Sequence, residues 1–328
     1  MLPKKFSELP ADIAAKALAH PAIRGLRRRP RVFSDTGDFT SIDYGDIILV
    51  DGRFFLIIAY TREGRFGVDD QPKQWVPKVV DLSSGITHII KLVFHETFEI
   101  TLGQFKVTCY RSPEKEARIL ELVRGHERFM QGYGVEDEAG NLVRILDVIR
   151  GWRLDKYIHR VKGSHEEYFV SRLPAILKEF LECVKAIGLL HAHGMRHGDI
   201  RRDHIFVEFD TGLFRWIDFD YDFYLPERPF SLDVFELGNI LLYLIGRGNF
   251  YPNNVLENPG MGQKTYNLLD KSDISLLSKN RIVNLKKLFP YIPGQLNDIN
   301  MHFACETPVF YDSAMELADD LESYLTGI

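Results

Sequence analysis

Hydrophobic spacing changes character once along this chain, and that change constrains the fold more than any other feature. Between residues 46 and 150 apolar residues come in short runs broken by turn signals. Ile47-Ile48-Leu49-Val50, then Asp51-Gly52, then Phe54-Phe55-Leu56-Ile57-Ile58-Ala59-Tyr60 read as a hairpin, because Asp-Gly supplies the positive φ angles of a tight primed turn. Lys78–Leu82, the turn Ser83-Ser84-Gly85 and Ile86–Phe94 read as a second hairpin, and Leu142–Arg150 as a further strand ending at Gly151. One helix is expected inside this half, with Ser112 as N-cap, Pro113 at the first position and Glu114 and Glu116 near the positive end of the dipole. From about residue 152 the spacing turns helical. Leu173, Ile176, Leu177, Phe180, Leu181, Val184, Ile187 and Gly188 line one face, and Val234–Ile245 is apolar nearly all round, so that helix is expected to be central. Ser313 with Glu316 reads as a capping box before Leu317, Leu321 and Leu325. A strand-rich half followed by a helix-rich half implies an α+β fold in two lobes. The expected division is an extension over 1–45, a β-rich N-lobe over 46–150 and a helical C-lobe over 151–328. Within the extension, Leu9, Ile13, Ala17 and Leu18 are expected on one face of a short helix.

Composition narrows the class of protein. The 328 residues are 45% hydrophobic and 27% charged, ordinary values for a globular chain with a sizeable core. A net charge of −5 gives no general reason to expect nucleic acid as a partner, and the run Arg27-Arg28-Arg29-Pro30-Arg31 reads as a solvated charged face before it reads as a contact for an anionic partner. The three cysteines, Cys109, Cys183 and Cys305, are odd in number and far apart, which argues against a disulfide framework and for a reducing cytoplasmic setting. No apolar run approaches the ~18 residues of a membrane span, and the first residues lack the apolar core of a secretory signal.

The chemistry concentrates in two acidic blocks. Arg196-His197-Gly198-Asp199-Ile200-Arg201-Arg202-Asp203-His204 is polar and leads into the apolar Ile205-Phe206-Val207, and Trp216-Ile217-Asp218-Phe219-Asp220 follows, with Asp218 nineteen residues after Asp199. Two carboxylates held by a hairpin-like element suit phosphoryl transfer, since one can orient a hydroxyl and accept its proton while the other holds a divalent metal against ATP. His191, His193, His197 and His204 match no common zinc spacing, and cysteine partners are missing nearby.

The pattern resembles the catalytic loop and metal-binding turn of the protein kinase superfamily, and the resemblance runs in order over roughly residues 46–328. It implies a bilobal protein-kinase-like fold and an ATP-dependent transfer of the γ-phosphate to a hydroxyl, in the manner of a Ser/Thr protein kinase. Asp199 matches the catalytic aspartate, and Arg201 the basic residue that stabilises the transferring phosphoryl group. Asp218 matches the metal-binding aspartate, with Asp220 in place of the glycine after it and His204 where the family has a metal-binding asparagine. Mg²⁺ prefers oxygen ligands, so the resemblance implies Mg²⁺ or the softer Mn²⁺ held by His204, Asp218 and Asp220, with Asp222 as the alternative to Asp220 for the extra oxygen. Lys91 resembles the strand lysine that reaches the phosphates and Glu116 the helix glutamate that pairs with it; an exposed strand residue and a first-turn helix acid are the plain alternatives. Gly64-Arg65-Phe66-Gly67-Val68 resembles the later part of the Gly-rich nucleotide loop, with an insertion over Asp69–Val76. Leu146–Gly151 resembles the hinge, which implies adenine contacts near Asp147 and Ile149 and Asp155 near the ribose; a helix-start residue is the equal alternative for Asp155. Asp233 resembles the acid that braces the catalytic loop. His-Gly-Asp in place of His-Arg-Asp is also typical of small-molecule phosphotransferases such as aminoglycoside and choline kinases. Only about nine residues separate Asp218 from Glu227, a short peptide platform. Two other readings therefore stand beside a protein kinase: a small-molecule kinase, and a nucleotide-binding pseudokinase scaffold.

Overall fold

A computed structural model of the chain describes residues 4–65, 68–102, 105–225, 227–278 and 280–327. The protein is mixed α+β, with most of the sheet in the first half and most of the helix in the second. It divides into two compact units. The first comprises residues 1–96, 111–126 and 130–149, and the second 97–110, 127–129 and 150–328.

The first unit is built on a sheet. Helix α1 (Ala11–Ala19) precedes β1 (Val32–Phe33), β2 (Ile47–Val50), β3 (Arg53–Arg65), β4 (Val68–Asp81) and β5 (Thr87–Lys91). Strands β6 (Thr97–Leu102) and β7 (Phe105–Arg111) follow, then α2 (Pro113–Leu122), β8 (Gly132–Glu136) and β9 (Leu142–Asp147). The sheet order is β1-β2-β3-β4-β5-β9-β8, antiparallel except for β1 on β2. Asp51 and Gly52 close the β2–β3 turn with φ of 54° and 66°, as a type I′ turn requires. The Asp81 carboxylate closes the next turn, accepting from Ser83 N at 2.8 Å and Ser84 Oγ at 2.9 Å. The expected insertion over Asp69–Val76 is instead the outer part of β4, paired with β3 through register shifts that absorb its extra length. Beyond Lys91 the chain leaves the sheet, earlier than Phe94 as expected, and Phe94 stacks on Trp75 at 4.1 Å between ring centroids.

The alternation of strand side chains gives the sheet two apolar faces. Ile48, Val50, Phe55, Ile57 and Val79 belong to one cluster. Ile47, Leu56 and Leu82 belong to the other, which Ile13, Ala17 and Ile23 complete. Ile13, Ala17 and Ile23 therefore cover one sheet face, Phe33 and Ile42 join the cluster on the other, and the same segment supplies the edge strand β1. Leu18 is 53% exposed, off the expected face, because on a helix it lies ~100° round from Ala17. The arginine run is also more than a solvated face: Arg28 and Arg31 both reach the fully buried Asp46, Arg31 NH2 at 2.6 Å.

The second unit holds β6 and β7, then β10 (Gly151–Arg153), α3 (Leu154–Arg160), α4 (His165–Ser171), α5 (Leu173–Ala192), β11 (Ile205–Glu208), β12 (Phe214–Trp216) and β13 (Tyr221–Phe223). Helices α6 (Ser231–Gly246), α7 (Pro252–Glu257), α8 (Gly262–Tyr266), α9 (Gly294–Met301) and α10 (Ala314–Thr326) complete it. Two small sheets run in the orders β10-β11-β12 and β13-β7-β6. Helix α6 is buried along nearly its whole length, and the indole of Trp216 donates to Cys183 O at 3.0 Å, tying β12 to α5. At α10, Ser313 Oγ accepts from Glu316 N at 3.2 Å, while the Glu316 carboxylate reaches Asp312 N at 3.0 Å, so the cap forms without the reciprocal half of the box. Among the described residues no helix is long and apolar enough to cross a membrane.

Candidate functional site

In the first unit, β5 and β9 place Lys91 directly opposite Arg144. Two buried cations facing each other across a ladder are destabilising unless an anion lies between them. Helix α2 supplies it. Ser112 caps that helix by accepting from Lys115 N at 3.2 Å, with Pro113 first, and Glu116 is fully buried. One Glu116 oxygen accepts from Lys91 Nζ at 2.7 Å and the other from Arg144 Nε at 3.2 Å. Arg144 NH2 also donates to Leu92 O at 3.2 Å, fixing the turn after Lys91. Lys91 is buried, not an exposed strand residue, while Glu116 is a first-turn helix acid as the plain alternative had it, and a buried one. Arg144 escaped sequence reading, although a charged residue between Val143 and Ile145 in an apolar strand was a signal for a buried ion pair. Gly64 lies near the end of β3, and Gly67 falls outside the described residues. Asp147 ends β9 exposed, its N–H donating to Gln131 O at 2.9 Å, and Ile149 lies just beyond the strand, half-buried.

In the second unit, the loop between α5 and β11 is shaped by α6. Asp233, on the first turn of α6 and buried, accepts from His197 N at 2.7 Å through Oδ2 and from Gly198 N at 2.9 Å through Oδ1. His191 Nε2, at the end of α5, lies 3.1 Å from Oδ2, and its ring stacks on Phe230. Burial opposes ionisation of Asp233, but the His191 hydrogen bond, the charges of His191 and His197 and the Gly198 N–H together hold its carboxyl below the ordinary carboxylate value. Gly198 sits at φ 84°, a left-handed turn that glycine adopts without cost. The next residue is Asp199.

The β11–β12 hairpin then aligns the two acidic blocks. Ile205 pairs with Trp216, and Ile217 N donates to His204 O at 2.9 Å, so His204 and Asp218 leave the hairpin side by side. His204 Nδ1 lies 2.8 Å from Asp199 O. A carbonyl oxygen only accepts, so Nδ1 carries the proton and Nε2 is the ring atom facing Asp218, 3.6 Å from its Oδ2. The Asp199 carboxylate lies 3.5 Å from Nδ1. Burial pushes the Asp199 carboxyl above its ordinary value, the charges of His204 and Arg201 oppose this, and Asp218 and Asp220 add to it. Asp218 itself takes a left-handed φ of 64°, which aspartate tolerates better than most side chains.

Other assigned residues sit differently from expectation. Arg201 is held in a bidentate pair with Asp203, at 3.1 and 2.7 Å, not standing alone beside Asp199. Asp155 is paired in the same way with Arg153, at 3.2 and 2.9 Å. Asp222 accepts from Arg196 and from Tyr110, so it is an ion-pair partner and not a spare oxygen donor. Asp220 is buried. Among the described residues no three or more His, Cys, Asp or Glu side chains converge to hold a metal ion, so His204, Asp218 and Asp220 do not form a closed ligand set. His204 is turned by its Nδ1 bond to Asp199 O so that Nε2 faces Asp218.

No family model matches the chain. Over 115 residues, 34% of this chain, it is 26% identical to a Caenorhabditis elegans protein described as "Putative ribosomal protein S6 kinase alpha-2", and the matched stretch spans 14% of that protein. The similarity is thus to a protein described as a kinase, and it covers about a third of this chain and a small part of that protein.

Proposed function

We propose that the protein is an ATP-dependent phosphotransferase with a protein-kinase-like fold, transferring the γ-phosphate to a hydroxyl. The observation that carries this reading is the Asp199–His204–Asp218 bridge on the loop pinned by Asp233. It puts a partly buried carboxylate beside a second acid through one imidazole, the pair of roles that phosphoryl transfer needs. Asp199 accepts the hydroxyl proton as the acceptor oxygen bonds to phosphorus; the bond from phosphorus to the bridging oxygen breaks, ADP leaves, and Asp199 passes its proton to solvent. Asp218 and Nε2 of His204 fit a divalent cation that is completed by phosphate oxygens, since Mg²⁺ is usually held by one or two carboxylates plus its substrate. Such a cation, when bound, neutralises charge on the transferring group. A nitrogen in that set favours Mn²⁺ relative to Mg²⁺. Lys91, aimed by Glu116, is assigned to the phosphates.

Asp199→Ala tests the assignment. Transfer from [γ-³²P]ATP is expected to fall about 10²–10⁴-fold while fluorescent-ATP binding is retained. Transfer that survives the substitution removes Asp199 from the mechanism. Wild-type protein that binds ATP without any turnover in Mg²⁺ or Mn²⁺ replaces the reading with a nucleotide-binding scaffold.

A further inference from the structure

Within the second unit, a cleft of about 460 Å³ opens beside the Asp199 loop. Its walls are the start of α3, the loop after Asp199, the face of α6 one turn beyond Asp233, and the segment at Arg281. That volume is the size of a small-molecule site. Four guanidinium groups line it, from Arg153, Arg201, Arg202 and Arg281, against the carboxyl groups of Asp155, Asp203 and Glu236.

The charges do not cancel evenly. Arg153 is taken by Asp155 and Arg201 by Asp203, each through a bidentate fork. Arg202 lies over the Tyr243 ring at 4.7 Å, and among the described residues it has no carboxylate partner. Arg281 NH1 donates to Asn239 Oδ1 at 2.7 Å, and its buried Nε has no hydrogen-bond partner among the described residues. Asn239 in turn donates to Glu236 Oε2 at 3.0 Å, so it links Arg281 to the Glu236 carboxyl. Burial pushes the Glu236 carboxyl up against the Asn239 bond and the Arg281 charge, and Asp199 and Asp233 add to that rise. The cleft thus keeps two guanidinium groups uncommitted to a carboxylate. It also adjoins the reacting group: Arg201 is two residues from Asp199, and the charges of Arg201 and Glu236 are coupled to the Asp199 carboxyl.

We infer that this cleft receives the acceptor, and that the acceptor is a small hydroxyl compound bearing a phosphate or carboxylate, held by Arg202 and Arg281. The inference rests on the phosphotransferase reading for the fate of the hydroxyl, but the anion site stands on the cleft alone. Guanidinium is the side chain suited to such oxyanions, because its planar fork meets two oxygens at once. A basic peptide or a cationic amine is disfavoured by the same charge excess.

The test uses the full chain and three probes of similar size: glycerol 3-phosphate, glycerate and glycerol. Calorimetric titration is expected to show binding of glycerol 3-phosphate or glycerate and none of glycerol; the two anions separate phosphate from carboxylate preference. Arg202→Ala and Arg281→Gln should each weaken that binding at least tenfold, Arg202→Lys should recover part of it, and unchanged thermal unfolding would exclude misfolding as the cause. An ADP-release assay with ATP then reads turnover. Neither anion binding, or variants that bind as tightly as wild type, overturns the anion cleft whether or not ATP is turned over. ATP turnover with neutral, cationic or peptide acceptors only also overturns it and leaves the phosphotransferase reading standing. Anion binding that is lost in the variants, with no ATP turnover on any acceptor, keeps the cleft and removes the phosphotransferase.

Discussion

At the scale of single residues, the fold around the candidate site rests on Asp233, whose two oxygens accept two consecutive backbone N–H groups and face His191. Asparagine has one carbonyl where aspartate has two acceptor oxygens, so Asp233→Asn must leave one N–H facing an NH₂. Loss of charged, buried hydrogen bonds of this kind costs about 2–4 kcal/mol, to be read from urea unfolding at pH 7. The folded carboxyl lies below its ordinary value, so its contribution is present above the unfolded value of about 3.9 and is lost as pH falls through the folded value. The gap between wild type and variant should therefore narrow below about pH 4; a gap constant with pH would mean the charge itself does not stabilise the loop. Asp233 was readable only through the resemblance of residues 231–238 to the kinase family's central helix, since by position alone it is an acid at a helix start. Arg144 and the Arg28–Arg31–Asp46 cluster were not, because a charge in a strand or loop reads as solvated until its partner, brought in from a different element, is known.

At the scale of elements, two helices of the second unit contain a glycine where another element comes close, and the two should respond differently to alanine. A Cβ at Gly238 of α6 would lie 2.3–2.5 Å from ring atoms of Phe303, and a packed ring cannot yield without moving its neighbours. A Cβ at Gly188 of α5 would meet Met315 Sδ at 2.5 Å, the far end of a flexible side chain that is 43% exposed. Alanine gains ~1 kcal/mol of helix propensity at either site, while overpacking costs about 1–3 kcal/mol. Gly188→Ala is thus expected within about 1 kcal/mol of wild type, and Gly238→Ala to be clearly destabilised, by urea midpoints at equal slope. Equal midpoints would show that the α6 contact relaxes as easily as the α5 one. The α5 and α6 helices and the Asp51-Gly52 hairpin were legible because local spacing and turn chemistry specify them. The length of β4 was not, since residues 69–76 carry charged and polar residues that read as a loop until the register with β3 is seen.

At the scale of the whole molecule, the chain passes between its two units at five points, so neither unit is one continuous segment. The expected divisions, after residues 45 and 150, follow local spacing, and local spacing does not carry this threading for a physical reason. The second unit recruits β7 to pair with β13, across more than a hundred residues, and Tyr224 N donates to Thr108 O at 3.1 Å. No local pattern encodes a contact at such separation. The borrowed pieces are not ornamental. Val107 and Cys109 of β7 share an apolar cluster with Phe223 and Leu232, while Phe129 is fully buried and bridges to Trp216. A fragment of residues 150–328 lacks all three of Val107, Cys109 and Phe129 and exposes the surfaces they cover. Each large buried side chain removed from a core costs about 2–5 kcal/mol, and a domain has only about 5–15 kcal/mol in total. The 150–328 fragment is therefore expected to bind a hydrophobic dye, lose near-ultraviolet dichroism and unfold without a sharp urea transition. The 97–328 fragment, which restores β6, β7 and Phe129, should unfold at higher urea and with greater cooperativity. If the shorter fragment proves as cooperative as the longer one, the borrowed strand and Phe129 are additions to a core that residues 150–328 complete alone.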